Sequence, residues 1–344
     1  MYRVEFNRST AHGPKGGRLH ESAGLRYFLA AAETVNFRRA AEKLFITQQT
    51  LSAHIQKLES RYGTPLFERK PHLRLTPAGH CLREYARKAV KLEELFLAEL
   101  ADVTDTVTGR LNVGITGFRA TIFMPRIWEI FHAQFPNITP SMTEAPTAQL
   151  DELLDKGQLD LYIGVDAPVR KNTEAWTLSQ EKACCIASRE FVRRFFDEDL
   201  LRKAERGFEI SDLIHLPQVG FSRGNTLRES LDIYYQERGL HPRVVFETSR
   251  HDLALRFCEQ GCGIGFVYQM SLYDLLQKDR ARTDLRVFAV RNDFPPKHTM
   301  LVYRCESYKP RYMTGFVEAA RKVFKEYSDS IDGIIAGAMA QGEK

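Results

Sequence analysis

The sequence predicts a multidomain α/β chain: a small helical head, one long helix, and a larger body of strands and helices in alternation. Three observations carry that prediction. Three apolar patterns of helical spacing crowd into about forty residues ahead of Leu58. A run without a helix breaker then extends from Thr76 to Gly109. From Arg110 onward, short apolar runs alternate with helical patterns, as βαβ units around a mainly parallel sheet require.

In the head, a first helix spans about Ala23 to Glu33 with Leu25, Phe28, Leu29 and Ala32 inward. Phe37, Ala40, Ala41 and Leu44 form one face of a second, and the two alanines let neighbouring helices cross closely. Phe45, Ile46 and Thr47 separate it from a third, whose apolar face is Leu51, Ile55 and Leu58. Thr47 suits an N-cap, because its hydroxyl can accept from a free backbone N–H.

Rotating the third helix by 100° per residue places Gln49, Ser52, Ala53 and Gln56 on the opposite side, with Gln48 at its N-terminal edge. These side chains are short, polar and uncharged. Gln can pair bidentately with adenine, Ser can donate or accept, and Ala can touch a thymine methyl. Solvated faces usually carry Glu and Lys, so the pattern favours insertion into a DNA major groove. Leu66 and Phe67 then anchor a turn, and Arg69, Lys70, His72 and Arg74 gather on a short hairpin ending at Leu75. Cations on such a hairpin can hold phosphates. The predicted head is a winged helix-turn-helix.

Thr76 followed by Pro77 is a strong helix start. Within the long helix, Leu82, Tyr85, Ala89, Leu92 and Phe96 are spaced as a heptad seam, interrupted at Glu99 and resumed at Val103. At about 1.5 Å per residue the rod is roughly 45 Å long, and its stripe needs a cover, from its own domain or from a second chain.

In the body, strands are expected at 110–116, 138–144, 159–165, 216–222, 243–249, 263–268, 285–290 and 298–304. Helices are expected at 121–135, 147–156, 226–239, 250–260 and 309–327. The segments VGITGFRAT (113–121) and VGFSRGNT (219–226) echo one another: strand, hydroxyl residue, arginine, helix start. The echo suggests two similar lobes with Thr116 and Ser222 facing across a cleft at the strand ends, where open α/β sheets bind ligands. Gly117, Arg119, Arg223 and Asn225 accompany them; Thr147, Ser249 and Arg250 are further candidates. Helix N-termini favour anions, so the expected effector is a small anion. The arginines could equally be surface charges or contacts between copies. Ser222, His251 and Asp252 contain the elements of a triad, but no Gly-x-Ser-x-Gly elbow is present. Cys258 and Cys262 could be a redox pair, although two buried helix thiols are the commoner case; Cys184 and Cys185 point to opposite faces of a strand. No zinc-ligand spacing occurs, and no metal or cofactor is expected.

Composition agrees. The 344 residues are 43% hydrophobic and 27% charged, as in a soluble globular protein with room for two or three domains. No apolar run is long enough to span a membrane, and the first twenty residues hold no apolar signal region. The net charge of +5 is uneven, with +7 in residues 1–76 and −2 in the rest, and a basic head suits a polyanion. Six cysteines without repeating spacing suggest reduced thiols in the cytoplasm.

Over residues 24–110 the chain resembles the LysR-type transcriptional regulators, through LRYFLAAAETVNFRRAAEKL, TQQTLSAHIQKLE and LFERKPHLRLTPAG in order. Over 110–327 the resemblance rests on the order of strands and helices. It places Gln48, Gln49, Ser52 and Ala53 at the family's DNA-contacting positions. Proline is common in the family where Gln49 stands and a basic residue where Ala53 stands, so operator sequence does not carry over. The wing is also about a residue shorter.

The resemblance implies an antiparallel dimer of linker helices, a tetramer of full chains, and two lobes of periplasmic-binding-protein type with an effector between them. The expected division is a disordered tail over 1–21, a winged head over 22–76, and a linker helix over 77–108. The effector domain follows over 109–328, one lobe being 109–180 with 281–328 and the other 181–280, then a tail over 329–344. The expected function is a cytoplasmic, sequence-specific DNA-binding regulator, not an enzyme, that senses a small anionic effector. Its partners are double-stranded DNA, a second copy of itself and RNA polymerase, with no membrane. The alternatives are a thiol-redox sensor of the same fold and a solute-binding or enzymatic α/β protein. The missing signal region and catalytic motif weigh against the last two.

Overall fold

The structure, a computed structural model, describes residues 19–70, 72–104, 107–279, 284–291, 296–305 and 308–340. They divide into two compact units at Leu97/Ala98. The predicted N-terminal tail, apart from its last three residues, lies outside the described residues, as do 341–344.

In the first unit, α1 (Leu19–Thr34), α2 (Phe37–Lys43) and α3 (Gln48–Tyr62) pack around Phe28, Ala31, Ala40, Leu51 and Ile55, which are all fully enclosed. Helix α1 begins four residues before the predicted Ala23. Asn36 caps α2 by accepting from the N–H groups of Arg38 and Arg39 at 3.0 and 3.1 Å. Thr47 caps α3 as expected, accepting from the Thr50 N–H at 3.1 Å. Gly63, at φ 66°, ends α3 in the left-handed conformation that glycine adopts without strain. The wing is a two-stranded hairpin, β1 (Phe67–Glu68) and β2 (Arg74–Leu75), with Phe67 opposite Leu75.

Helix α4 (Pro77–Val103) starts where Thr76 predicts, with the Thr76 hydroxyl accepting from the Gly79 N–H at 3.0 Å. A Cβ at Gly79 would stand 2.1 Å from the Leu66 carbonyl oxygen, so only glycine lets the helix seat here. Leu82 and Ala86 belong to the head core, and Arg26 of α1 pairs with Glu93 and Glu94. The predicted seam is therefore corrected: Leu82 lies in the head core and Ala89 packs against it. The exposed apolar stripe is Tyr85, Leu92, Phe96, Leu100 and Val103.

The second unit has two five-stranded sheets. The first has the order β4-β3-β5-β12-β6 and holds β3 (Gly109–Ile115), β4 (Ile138–Glu144), β5 (Leu161–Val165), β6 (Thr173–Glu181) and β12 (Lys297–Arg304). β3 runs parallel to β4 and β5, and β12 antiparallel to β5 and β6. The second has the order β11-β7-β10-β8-β9 and holds β7 (Ala183–Ser188), β8 (Pro217–Phe221), β9 (Arg243–Thr248), β10 (Ile264–Tyr268) and β11 (Leu285–Ala289). β8 is parallel to β9 and β10; β7 is antiparallel to β10 and β11. The predicted boundary at residue 281 assigns β11 to the first lobe, but β11 pairs with β7 in the second. Lys182 alone separates β6 from β7, so the chain crosses between the sheets within one residue.

Helices cover both sheets: α5 (Gly117–Gln134), α6 (Thr147–Asp155), α7 (Arg189–Phe195), α8 (Glu198–Arg206), α9 (Thr226–Arg238), α10 (His251–Glu259), α11 (Met270–Asp279) and α12 (Arg311–Ala340). α5 begins four residues before its predicted start, directly after Thr116, which brings Arg119 into its first turn. α12 extends the helix expected over 309–327 to Ala340, through the region read as a tail, because Ile331 and Ile335 have apolar surface to bury. Its Phe324 packs on Phe123 of α5 at 4.0 Å between ring centroids.

Candidate DNA-binding face and effector cleft

On α3 the inward residues Leu51, Ile55 and Leu58 are buried, while Gln48, Gln49, Ala53 and Gln56 are exposed and Ser52 half-buried. The polar face predicted for a groove is thus free. The wing differs from expectation. Arg69 pairs with Glu59 at 3.3 Å and Arg74 with Glu68 at 2.5 Å, so two of its cations are already engaged. Glu59 has a structural task as well, accepting from the Leu66 and Phe67 N–H groups at the base of the hairpin. Lys70 and His72 are exposed. Phe45, in the turn between α2 and α3, has φ 55° and is 96% exposed. A bulky residue in that conformation is strained.

In the second unit a cleft of about 570 Å³ is lined from both lobes. Of the nine residues expected there, Thr116, Gly117, Arg119, Thr147, Asn225 and Ser249 line it; Ser222, Arg223 and Arg250 do not. The sequence echo explains the split. Thr116 directly precedes α5, whereas α9 starts only at Thr226 and is capped by Asn225, which accepts from the Leu227 and Arg228 N–H groups. Ser222 is thus too early to reach the cleft, and its N–H goes to the Thr248 carbonyl at 3.0 Å. Arg223 is exposed, and Arg250 turns to the Asp252 carboxylate.

Arg119 is no surface charge. It is 7% exposed, donating from Nε to the Thr299 hydroxyl at 2.9 Å and from Nη1 to the Thr116 hydroxyl at 3.4 Å, while Nη2 has no partner among the described residues. Burial pulls its pKa down, and the nearby Glu181 carboxylate opposes that shift. Glu181 is itself buried, accepting from the Ser179 hydroxyl, the Tyr327 hydroxyl and the Met270 N–H at 2.8, 2.7 and 3.3 Å. Thr147 Oγ1 accepts from the Val165 N–H at 2.9 Å, holding the start of α6 against β5.

Among the lining residues that the sequence does not point to, four carry ionisable groups: His251, Tyr268, Glu144 and Glu229. His251 stacks on Phe118 at 4.5 Å and 14°, leans on Phe221, and contacts the Ser271 hydroxyl and the Asn225 amide at 3.2 and 3.3 Å. Burial first, then the Arg119 charge, pushes its pKa down to about 4, so the ring is neutral at pH 7. Tyr268 presents a buried hydroxyl that makes no hydrogen bond of good geometry among the described residues, with Ser230 beside it. Glu144 and Glu229 bring carboxylates. The triad elements Ser222, His251 and Asp252 do not assemble, since His251 and Asp252 have the other partners just named.

Two models of bacterial regulator domains match this chain: the LysR substrate-binding domain over residues 104–325, and the lysR-family regulatory helix-turn-helix over 23–80. The chain belongs to the LysR family. It is a LysR-type DNA-binding transcriptional regulator with an effector-binding domain. Among its relatives, the regulator CysB of Haemophilus influenzae is 25% identical over 297 residues, covering 86% of this chain and 88% of that one. BenM of Acinetobacter baylyi is 28% identical over 284 residues, covering 78% and 89%. Among solved structures, CbnR in complex with its target DNA has a TM-score of 0.56 at 22% identity, covering 88% of this chain and 99% of that chain. Full-length OxyR of Pseudomonas aeruginosa has 0.63 at 19%, covering 88% and 98%. Those two likenesses concern the fold.

Proposed function

We propose that this LysR-type regulator reads base edges with Gln48, Gln49, Ser52, Ala53 and Gln56, and that Arg69, Lys70 and Arg74 of the wing hold phosphates. The exposed stripe on α4 pairs two chains, so that two heads meet two half-sites, and full chains assemble further into a tetramer. The protein works in the cytoplasm beside RNA polymerase, and we assign it no catalysis. Among the described residues no helix is long and apolar enough to cross a membrane.

The effector is a small molecule with an anionic group, held in the cleft by Thr116, Arg119, Thr147, Asn225 and Ser249. The observation that carries this reading is the unmet donor on Arg119, since a buried guanidinium nitrogen without an acceptor is costly and an acidic group would satisfy it. Thiol sensing by the buried cysteines is less well supported, because burial pushes the Cys184 and Cys258 thiols up to about 12 and that of Cys185 well above the usual range; Cys81, Cys262 and Cys305 are exposed.

The test is a thermal-shift screen of the full chain with metabolite acids. A ligand that binds only the folded state stabilises it by about 2.7 kcal/mol at a hundred times its dissociation constant. Thr116→Val should abolish the shift and Ser222→Ala should keep it. A full shift with Thr116→Val would place the site elsewhere.

A further inference from the structure

The cleft proposed as the effector site carries more negative than positive charge, and the inference made here rests on that proposal. Glu144, at the end of β4, and Glu229, in the first turn of α9, line it from opposite lobes. Both are exposed to the cleft and solvent, and neither carboxylate has a hydrogen bond or ion pair among the described residues. A Glu144 carboxylate oxygen lies 3.5 Å from where a Cβ on Gly117 would stand, so a fixed negative charge already sits beside the N-terminus of α5.

The buried end of the cleft differs. Arg119 and Tyr268 are more than nine-tenths buried, and each holds a polar atom without a hydrogen bond of good geometry among the described residues. The Arg119 charge is answered by Glu181, and His251 is neutral. This end offers donors without net positive charge, whereas the mouth offers two carboxylates without counter-charge. A simple dianion would set its second charge against Glu144 and Glu229. A pure cation would leave the Arg119 and Tyr268 donors unmet. We infer that the effector is amphoteric: a carboxylate or similar acceptor meets Arg119 and Tyr268, and an ammonium or guanidinium lies between Glu144 and Glu229. Charge-assisted hydrogen bonds of opposite sense at the two ends then fix its orientation and exclude acids that lack the cation.

The experiment is calorimetric titration of the full chain with the standard amino acids, ω-amino acids of the same chain lengths, and the matching carboxylates, dicarboxylates and amines. Saturable binding is expected only from compounds with both charges. Glu144→Gln and Glu229→Gln should each weaken it by at least about tenfold, the size of a lost charge-assisted hydrogen bond, while leaving any weak binding of the deaminated acid unchanged. The inference is overturned if an acid without a cation binds as well as the best amphoteric compound. Unchanged affinity in both glutamine variants, or no amphoteric compound binding at millimolar concentration, overturns it too. Thr116→Val separates the two levels. If that variant loses an acid without a cation, the cleft stands and the amphoteric reading falls. If a ligand ignores Thr116, Glu144 and Glu229 alike, both fall.

Discussion

Replacing His251 by Gln should remove a large part of the acid sensitivity of the α/β half. The ring is enclosed by Phe118 and Phe221, hydrogen-bonded to Asn225 and Ser271, and close to the Arg119 guanidinium, with Asp252 alone pulling the other way. Its pKa falls to about 4 in the folded protein, against 6.5 for an ordinary histidine. The unfolded chain therefore binds more protons between these values. The stability contributed by the neutral ring is present above the unfolded value and is lost as pH falls from 6.5 towards 4. At 1.36 kcal/mol per pH unit, this one group removes about 2 kcal/mol between pH 7 and pH 5. Both tryptophans, Trp128 and Trp176, lie in this half, so their fluorescence follows its unfolding within the full chain. Urea titrations at the two pH values should show the wild type losing about 2 kcal/mol more than His251→Gln, which keeps hydrogen-bonding capacity at both ends of the side chain. Equal losses would refute the burial argument.

Four further outcomes are expected. Charges placed at Leu92 and Phe96 should take the full chain from tetramer to dimer in light scattering while the head stays folded. A charge at Leu82 should instead unfold the head, because that side chain is in its core. Glu68→Gln should release Arg74 and steepen the salt dependence of binding to random DNA by up to about one unit; an unchanged slope would show that Arg74 never reaches a phosphate. Phe45→Gly should raise head stability by about 1 kcal/mol, measured by urea titration followed by circular dichroism, by relieving a left-handed backbone at a side chain with almost no packing to lose.

The helical head was almost fully legible in the sequence, because its apolar residues recur at helical spacing and α2 and α3 begin at the caps Asn36 and Thr47; only the start of α1 differs, by four residues. The long helix was legible in extent but not in facing. Heptad spacing cannot tell a residue that packs on its own head from one that awaits a partner, and Leu82 is the former. In the body, the repeated strand–hydroxyl–arginine pattern puts Thr116 at the cleft, whose lining includes it. It misled at Ser222, where a glycine turn at Gly224, φ 87°, delays the helix to Thr226. β6 was missed because its alternation is weak and it lies at the sheet edge. Glu144, Glu229 and Tyr268 were beyond local reading, since the cleft draws them from β4, α9 and β10. His251 has a signal, as it follows Ser249 and Arg250 at a strand-to-helix turn, but the local pattern offers it only as an element of a triad.

Selection of bound duplexes from a random-sequence pool, with the full chain and with Gln48→Ala and Ser52→Ala in parallel, tests the recognition-helix assignment most directly. If the assignment holds, the wild type enriches paired half-sites about one helical turn apart, or a multiple of it. Each variant should lose about 1–3 kcal/mol on the enriched site while binding random duplex almost as before. Equal losses on enriched and random DNA, or the same enriched sequence at undiminished affinity in both variants, would contradict it.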